Sequence, residues 1–166
     1  AFRRRLVRLF DLLLDRIGDG TLAGPFSGDG QAILIEDYLE IRPERETELR
    51  RRIEEGSLVF GPWYVLPDEF LVSGESLVRN LRFGRETVRT FGGRPSDAGF
   101  LCDMFGHNSQ MPQILAGFGI KGALVWRGVD AQVGGRFLWQ GADGTTLPAY
   151  RFGRNGYCDY TYKVRQ

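Results

Sequence analysis

The chain has 166 residues, 42% hydrophobic and 26% charged, a globular composition that excludes a largely disordered or collagen-like polypeptide. Its 22 Lys and Arg stand against 21 Asp and Glu, a net charge of +1. The broad basic field of a nucleic-acid binder is therefore missing, and no nucleic-acid partner is expected. No apolar run approaches the roughly 20 residues that cross a bilayer, so no membrane partner is expected either.

The opening Ala1-Phe2-Arg3-Arg4-Arg5-Leu6 imitates the basic start of a signal peptide, but Asp11 and Asp15 break the apolar stretch that would have to follow. The first residue is not Met, which raises the expectation that a native beginning is missing. Phe2, Leu6, Phe10, Leu13, Leu14 and Ile17 recur at three- and four-residue steps and predict an amphipathic helix, with Gly18 at the C-terminal cap. Residues Asp19 to Gly30 read as a Gly-rich loop. Gly18, Gly20 and Gly24 imitate a dinucleotide fingerprint, yet the spacing is wrong and a helix precedes them instead of a strand.

Ala32-Ile33-Leu34-Ile35 is a short, continuously apolar and branched run, expected as a strand buried on both faces. Pro43 opens a charged helix that runs to Glu55 and stops at Gly56. Its Arg50-Arg51-Arg52 lies beside Glu48, Glu54 and Glu55, a solvated face and not a binding patch. A strand from Leu58 to Val65, interrupted by Pro62, follows. Next come a helix from Glu75 to Thr90, a strand from Ala98 to Cys102, a helix from Ser109 to Gly117 and a strand from Gly122 to Trp126. Phe137 to Trp139 and Thr146 to Tyr150 flank an Asp143-Gly144 hairpin signal.

Alternating strands and helices predict an α/β fold with a parallel sheet of at least four strands and right-handed crossovers. An open sheet could be complete at this length; a closed barrel could not. Ligands of parallel sheets bind beyond the carboxyl ends of the strands. Three such ends run into Pro67-Asp68-Glu69, Asp103 to Asn108, and Trp126-Arg127-Gly128. Asp103 is the most informative residue: a carboxylate fixed there can attack an anomeric carbon, coordinate a metal, or cap the turn, and position alone leaves these open. Arg127 suits a carboxylate, a phosphate, sugar hydroxyls or an ion pair across the strand ends. Trp63, Tyr64, Phe105 and Trp126 are candidates either for a sugar-stacking platform or for the core. His107, the single His, has no partners at zinc-ligand spacing and reads as a supporting or packing residue. Asp68 and Glu69 supply further carboxylates, with at least one expected in a surface turn. Cys102 reads as a small buried hydrophobe. With Cys158 it is too little for a disulfide framework, so a reducing compartment, the cytoplasm, is expected.

Asp103-Met104-Phe105-Gly106-His107-Asn108-Ser109-Gln110-Met111-Pro112-Gln113-Ile114-Leu115 closely resembles the nucleophile segment of the family 38 glycoside hydrolases, the α-mannosidases. Gly61 to Asn80, GPWYVLPDEFLVSGESLVRN, and Gly30 to Pro43, ending EDYLEIRP, are similar to the bacterial branch of that family. The resemblance runs from Phe26 to Asp130 and is looser beyond. It implies a seven-stranded parallel β/α barrel and retaining hydrolysis of α-mannosides with one zinc ion. Asp103 would be both nucleophile and zinc ligand, Phe105 would line the sugar pocket, and Arg127 would steady nucleophile and substrate; from its place near a strand end, Trp63 is expected as a further substrate contact. The zinc of such a site grips vicinal sugar hydroxyls and favours ring distortion toward an oxocarbenium-like transition state.

The departures matter as much. The family's His-x-Asp pair on the first strand and its downstream His have no counterpart here, the acid/base carboxylate belongs to a later segment, and no aromatic-acidic pair is evident from Tyr150 to Asp159. The chain is thus expected to be an internal piece of the barrel. Its partners would be the rest of the barrel and the C-terminal domains, with an oligomer allowed for. By itself the polypeptide is expected neither to hold zinc tightly nor to turn over α-mannosides. Two competing readings are a non-catalytic carbohydrate-binding protein and a metal-dependent carbohydrate deacetylase, the second of which requires a His-rich site absent from the sequence.

Overall fold

A computed structural model describes residues 2–154 and 156; Cys158 and Asp159 lie outside the described residues. The chain divides into two compact units, the first running to Val65 and resuming over Asn80–Ser96, the second comprising Leu66–Arg79 and the chain from Asp97 onward.

In the first unit the amphipathic period of the opening segment produces helix α1 (Phe2–Gly18). Strand β1 is only Phe26–Ser27 and pairs in parallel with β2, Leu58–Val59, with Phe26 opposite Leu58. Between them lie α2 (Ile33–Leu39), a 3-10 turn (Pro43–Arg45) and α3 (Glu46–Glu54). Phe10, Leu14, Ile35, Tyr38, Leu49, Ile53, Leu58 and Phe60 close into one core, each at most 3% exposed. Burial of each large apolar side chain contributes about 1.5–3 kcal/mol. The Phe10 ring lies 5.1 Å from Tyr38 and 6.0 Å from Phe60, centroid to centroid. Tyr38 is fully buried, and its hydroxyl finds a partner by donating to Asp11 Oδ1 at 2.8 Å. Burial and that bond push the phenol's pKa well above its usual value.

The expected strand over Ala32 to Ile35 is not formed; Ile33–Leu39 is helical. Ala32, Ile35 and Tyr38, all fully buried, fall at three-residue steps on one face, while Ile33 and Leu34 are half-buried. A four-residue apolar run fits either period, and here the helical one prevails. The strand instead lies upstream, inside the segment expected as loop. The strand expected from Leu58 to Val65 is likewise reduced to Leu58–Val59.

Helix α4 (Gly74–Thr90) begins in the second unit and ends in the first. Gly84 within it allows close approach, since a Cβ there would lie 2.2 Å from the carbonyl carbon of Trp63 and 2.4 Å from the nitrogen of Tyr64. The second unit holds a mixed four-stranded sheet built from β3 (Ala98–Leu101), β4 (Gly122–Val125), β5 (Arg136–Gln140) and β6 (Thr146–Arg151), in the order β3-β4-β6-β5. β3, β4 and β6 run parallel, and β5 is antiparallel to β6 across the Asp143-Gly144 turn. The expectation of four parallel strands in one sheet is therefore corrected to three, plus a hairpin strand at the edge. Both sheets are small and open. Helix α5 (Met111–Gly117) links β3 to β4 and packs so tightly that a Cβ on Gly99 would lie 2.8 Å from Leu115. No helix among the described residues is long and apolar enough to cross a membrane.

Candidate active site

The candidate site lies wholly in the second unit, where β3 and β4 end side by side. Leu101 pairs with Val125, so Asp103 and Arg127 each sit two residues past the last rung, at the same level. Cys102 is fully buried, as expected, and its thiol reaches Leu124 O at 3.5 Å. The next side chain turns out toward solvent: Asp103 is 44% exposed.

Arg127 holds Asp103 by main chain and side chain together. Its backbone N–H donates to Cys102 O at 3.3 Å, and its Nε–H donates to Asp103 Oδ1 at 2.6 Å, a short charge-assisted bond. The guanidinium carbon also lies 4.6 Å from the ring centre of Trp126 and 5.4 Å from that of Phe105, within cation–π range. Phe105 is 71% exposed. The expected carboxylate, cation and aromatic thus share one rim. The carboxylate offers a nucleophilic oxygen, the guanidinium fixes its direction, and the exposed ring offers an apolar face.

Trp63 does not join them. It belongs to the first unit and is fully buried, with its main chain pressed against Gly84. The indole has no exposed face to stack on a sugar, so the expected substrate contact is corrected to a core role.

Asp68 and Glu69 have separate fates. Asp68 Oδ1 accepts the Phe70 backbone N–H at 3.3 Å, a turn contact. The Glu69 carboxylate is fully buried; one oxygen lies 2.7 Å from His107 Nδ1, and the other accepts the Asn108 backbone N–H at 2.8 Å and its side-chain amide at 3.2 Å. Glu69 was visible in the sequence as a carboxylate near a strand end, but its burial against His107 and Asn108 was not. The available signal was a Glu placed just before the apolar run Phe70-Leu71-Val72, but its partners are 38 and 39 residues away.

His107 Nε2 donates to the carbonyl of Arg127 at 2.9 Å, and the ring meets Trp139 edge-on at 5.1 Å. Both ring nitrogens are therefore committed to protein partners, which matches the supporting role expected for this residue. No group of three or more His, Cys, Asp or Glu among the described residues could hold a metal. Of the zinc ligands that the resemblance implies, only Asp103 is at hand, and these residues alone do not fit a metal centre. A separate cleft of about 580 Å³ runs along the sheet past Ala98, Ala123, Leu138 and Tyr150. Its lining is mostly apolar, with Arg136 and Tyr150 as its polar side chains and no carboxylate.

Over 127 residues the chain is 46% identical to a putative mannosylglycerate hydrolase of Halalkalibacterium halodurans, covering 76% of this chain and 14% of that protein. It is 32% identical over 155 residues to an α-mannosidase of Saccharomyces cerevisiae, covering 87% of this chain and again 14% of the relative. The crystal structure of an α-mannosidase from Enterococcus faecalis V583 superposes with a TM-score of 0.88 at 34% identity, over 93% of this chain and 18% of that one. The chain thus spans less than a fifth of the length of these relatives. The family model that matches covers residues 26–164, starting where the resemblance was expected to start and extending well past Asp130. The chain belongs to the glycosyl hydrolases family 38 N-terminal domain family.

Proposed function

We propose that this chain forms part of a retaining α-mannosidase in which Asp103 is the nucleophile. One observation carries the reading: in a family 38 chain, the half-exposed carboxylate at the end of β3 meets the Arg127 guanidinium at 2.6 Å. A carboxylate directed by a fixed cation and open to solvent is equipped to attack an electrophilic carbon.

In this mechanism a carboxylate oxygen of Asp103 bonds to the anomeric carbon as the bond from that carbon to the leaving oxygen breaks. The leaving oxygen takes its proton from an acid on another segment of the intact protein. Water, giving its proton to that same acid group now acting as base, then attacks the glycosyl ester and releases the sugar with its original anomeric configuration, restoring both the carboxylate and the acid. Arg127 holds the carboxylate's direction through both steps, and Phe105 presents its ring to the sugar.

Asp103 is further proposed as one ligand of a zinc ion whose other ligands come from outside this chain; among the described residues no group of three or more His, Cys, Asp or Glu gathers to hold a metal. The four-stranded sheet is proposed as a sector of a seven-stranded β/α barrel, with the site on the rim where barrel enzymes keep their chemistry. The remaining strands and the C-terminal domains would be its partners, and the cytoplasm its compartment.

The test is hydrolysis of an aryl α-mannoside by the intact protein, followed by proton NMR. α-Mannose as the first-formed anomer is expected. Absence of turnover, or β-mannose formed first, contradicts the proposal.

A further inference from the structure

The buried pair Glu69 and His107 has no part in the chemistry above, yet it closes a chain of contacts that ends on the nucleophile. We propose that His107, seated against Glu69, is a positioning residue that holds the Arg127 main chain, and through it the guanidinium facing Asp103, in place.

The Arg127 peptide is gripped on both sides. Its N–H donates to Cys102 O, immediately before Asp103, and its carbonyl accepts from His107 Nε2 at 2.9 Å. The His107 ring is fixed in turn from two further directions, by Glu69 Oε1 at 2.7 Å and by the edge contact with Trp139. Glu69 also ties down the end of the nucleophile loop through the Asn108 backbone N–H. The His107 side chain is only 7% exposed and that of Glu69 fully buried, so neither serves as a surface ion pair. Buried polar groups kept at full hydrogen-bonding capacity make a rigid strut. The two loops approach closely where it acts. Gly128 has φ +72°, and a Cβ there would lie 2.9 Å from Gly106 Cα. Releasing the Arg127 carbonyl is expected to shift the main chain from which the guanidinium projects, and misplacement of about 1 Å costs roughly a hundredfold in rate.

The kinetic half of this proposal rests on the role proposed for Asp103; the positional half does not. The experiment uses three variants of the intact protein. In His107→Asn the amide nitrogen occupies the place of Nδ1, keeps Glu69 and loses Arg127. In His107→Gln it occupies the place of Nε2, keeps Arg127 and loses Glu69. Glu69→Gln preserves every bond, because its amide N–H donates to Nδ1 while its oxygen still accepts from Asn108.

His107→Asn is expected to lower kcat about 10- to 100-fold on an aryl α-mannoside with KM little changed, and both Gln variants are expected to retain most of kcat. In crystal structures, His107→Asn is expected to part Arg127 Nε from Asp103 beyond about 3.5 Å, while both Gln variants keep the contact. Wild-type kcat in His107→Asn, equal losses in the Asn and Gln variants of His107, or an intact contact in all three variants overturns the proposal. Should His107→Asn fail to fold, a kcat loss in Glu69→Gln with the contact intact overturns it independently. Should the unmodified protein lack mannosidase activity, the function proposed above fails, and the crystal structures still decide the positional claim.

Discussion

Replacing Arg127 with Met removes both the cation and the Nε–H that faces Asp103 while keeping an unbranched side chain. Two magnitudes separate a structural from a chemical role for this pair. The side chains are 43% and 44% exposed, and a pair so well solvated contributes only about 0.2–1 kcal/mol to stability. The contact with the reacting carboxylate is a short charge-assisted bond, a class worth about 1.5–3 kcal/mol. At 1.36 kcal/mol per decade, its loss in the transition state slows turnover about 10- to 150-fold. Thermal unfolding and aryl α-mannoside kinetics on the intact variant are the paired assays. The melting temperature is expected to fall by less than about 4 °C while kcat/KM falls by at least tenfold, roughly the lower limit just derived. A large drop in melting temperature with kcat/KM untouched would show that Arg127 only clasps two strand ends.

Asp103→Asn keeps the shape of the side chain and removes its nucleophilic charge. Turnover is expected to vanish while circular dichroism and melting stay near wild type, and retention of most activity would remove Asp103 from its role. Gly84→Ala would stabilise an ordinary helix interior by about 1 kcal/mol. Here the added Cβ would sit 2.2–2.5 Å from backbone atoms of Pro62, Trp63 and Tyr64, so a loss of about 1–3 kcal/mol or more is expected in denaturant titration; a gain would mean that the helix can shift freely. The Tyr64 hydroxyl donates to Glu36 Oε2 at 2.6 Å, and that bond, with burial, pushes its pKa up to about 12. The folded chain therefore keeps a proton that the unfolded chain releases near pH 10. The resulting stability is complete below about pH 10 and is lost as pH rises toward 12. Tyr64→Phe should flatten the fall in denaturation midpoint over that window, and parallel profiles for the two proteins would contradict the assignment.

The site was more legible in the sequence than the fold. Asp103 and Arg127 could be located because each directly follows a short apolar strand, and parallel pairing of those strands brings their ends level. Helices α3 and α4 were legible from period, Pro and Gly. Ala32 to Ile35 misled because four apolar residues satisfy two periods at once, and β1 escaped because two residues, Phe26–Ser27, carry no period at all. Trp63 misled for another reason: an aromatic near an expected strand end serves a rim or a core equally well, and its complete burial in the folded chain shows which. The Glu69–His107 link joins residues 38 apart, and no local pattern announces a contact that tertiary packing alone creates.

The proposed mechanism requires a covalent bond between Asp103 and a mannosyl anomeric carbon. Incubating the intact protein with 5-fluoro-α-mannosyl fluoride, then digesting it and sequencing the peptides by mass spectrometry, tests that bond directly. A single fluoromannosyl adduct is expected, carried on the Asp103 side chain within the peptide that spans Cys102 to Asn108. An adduct on any other residue, or turnover of the reagent with inversion and no adduct, would contradict it.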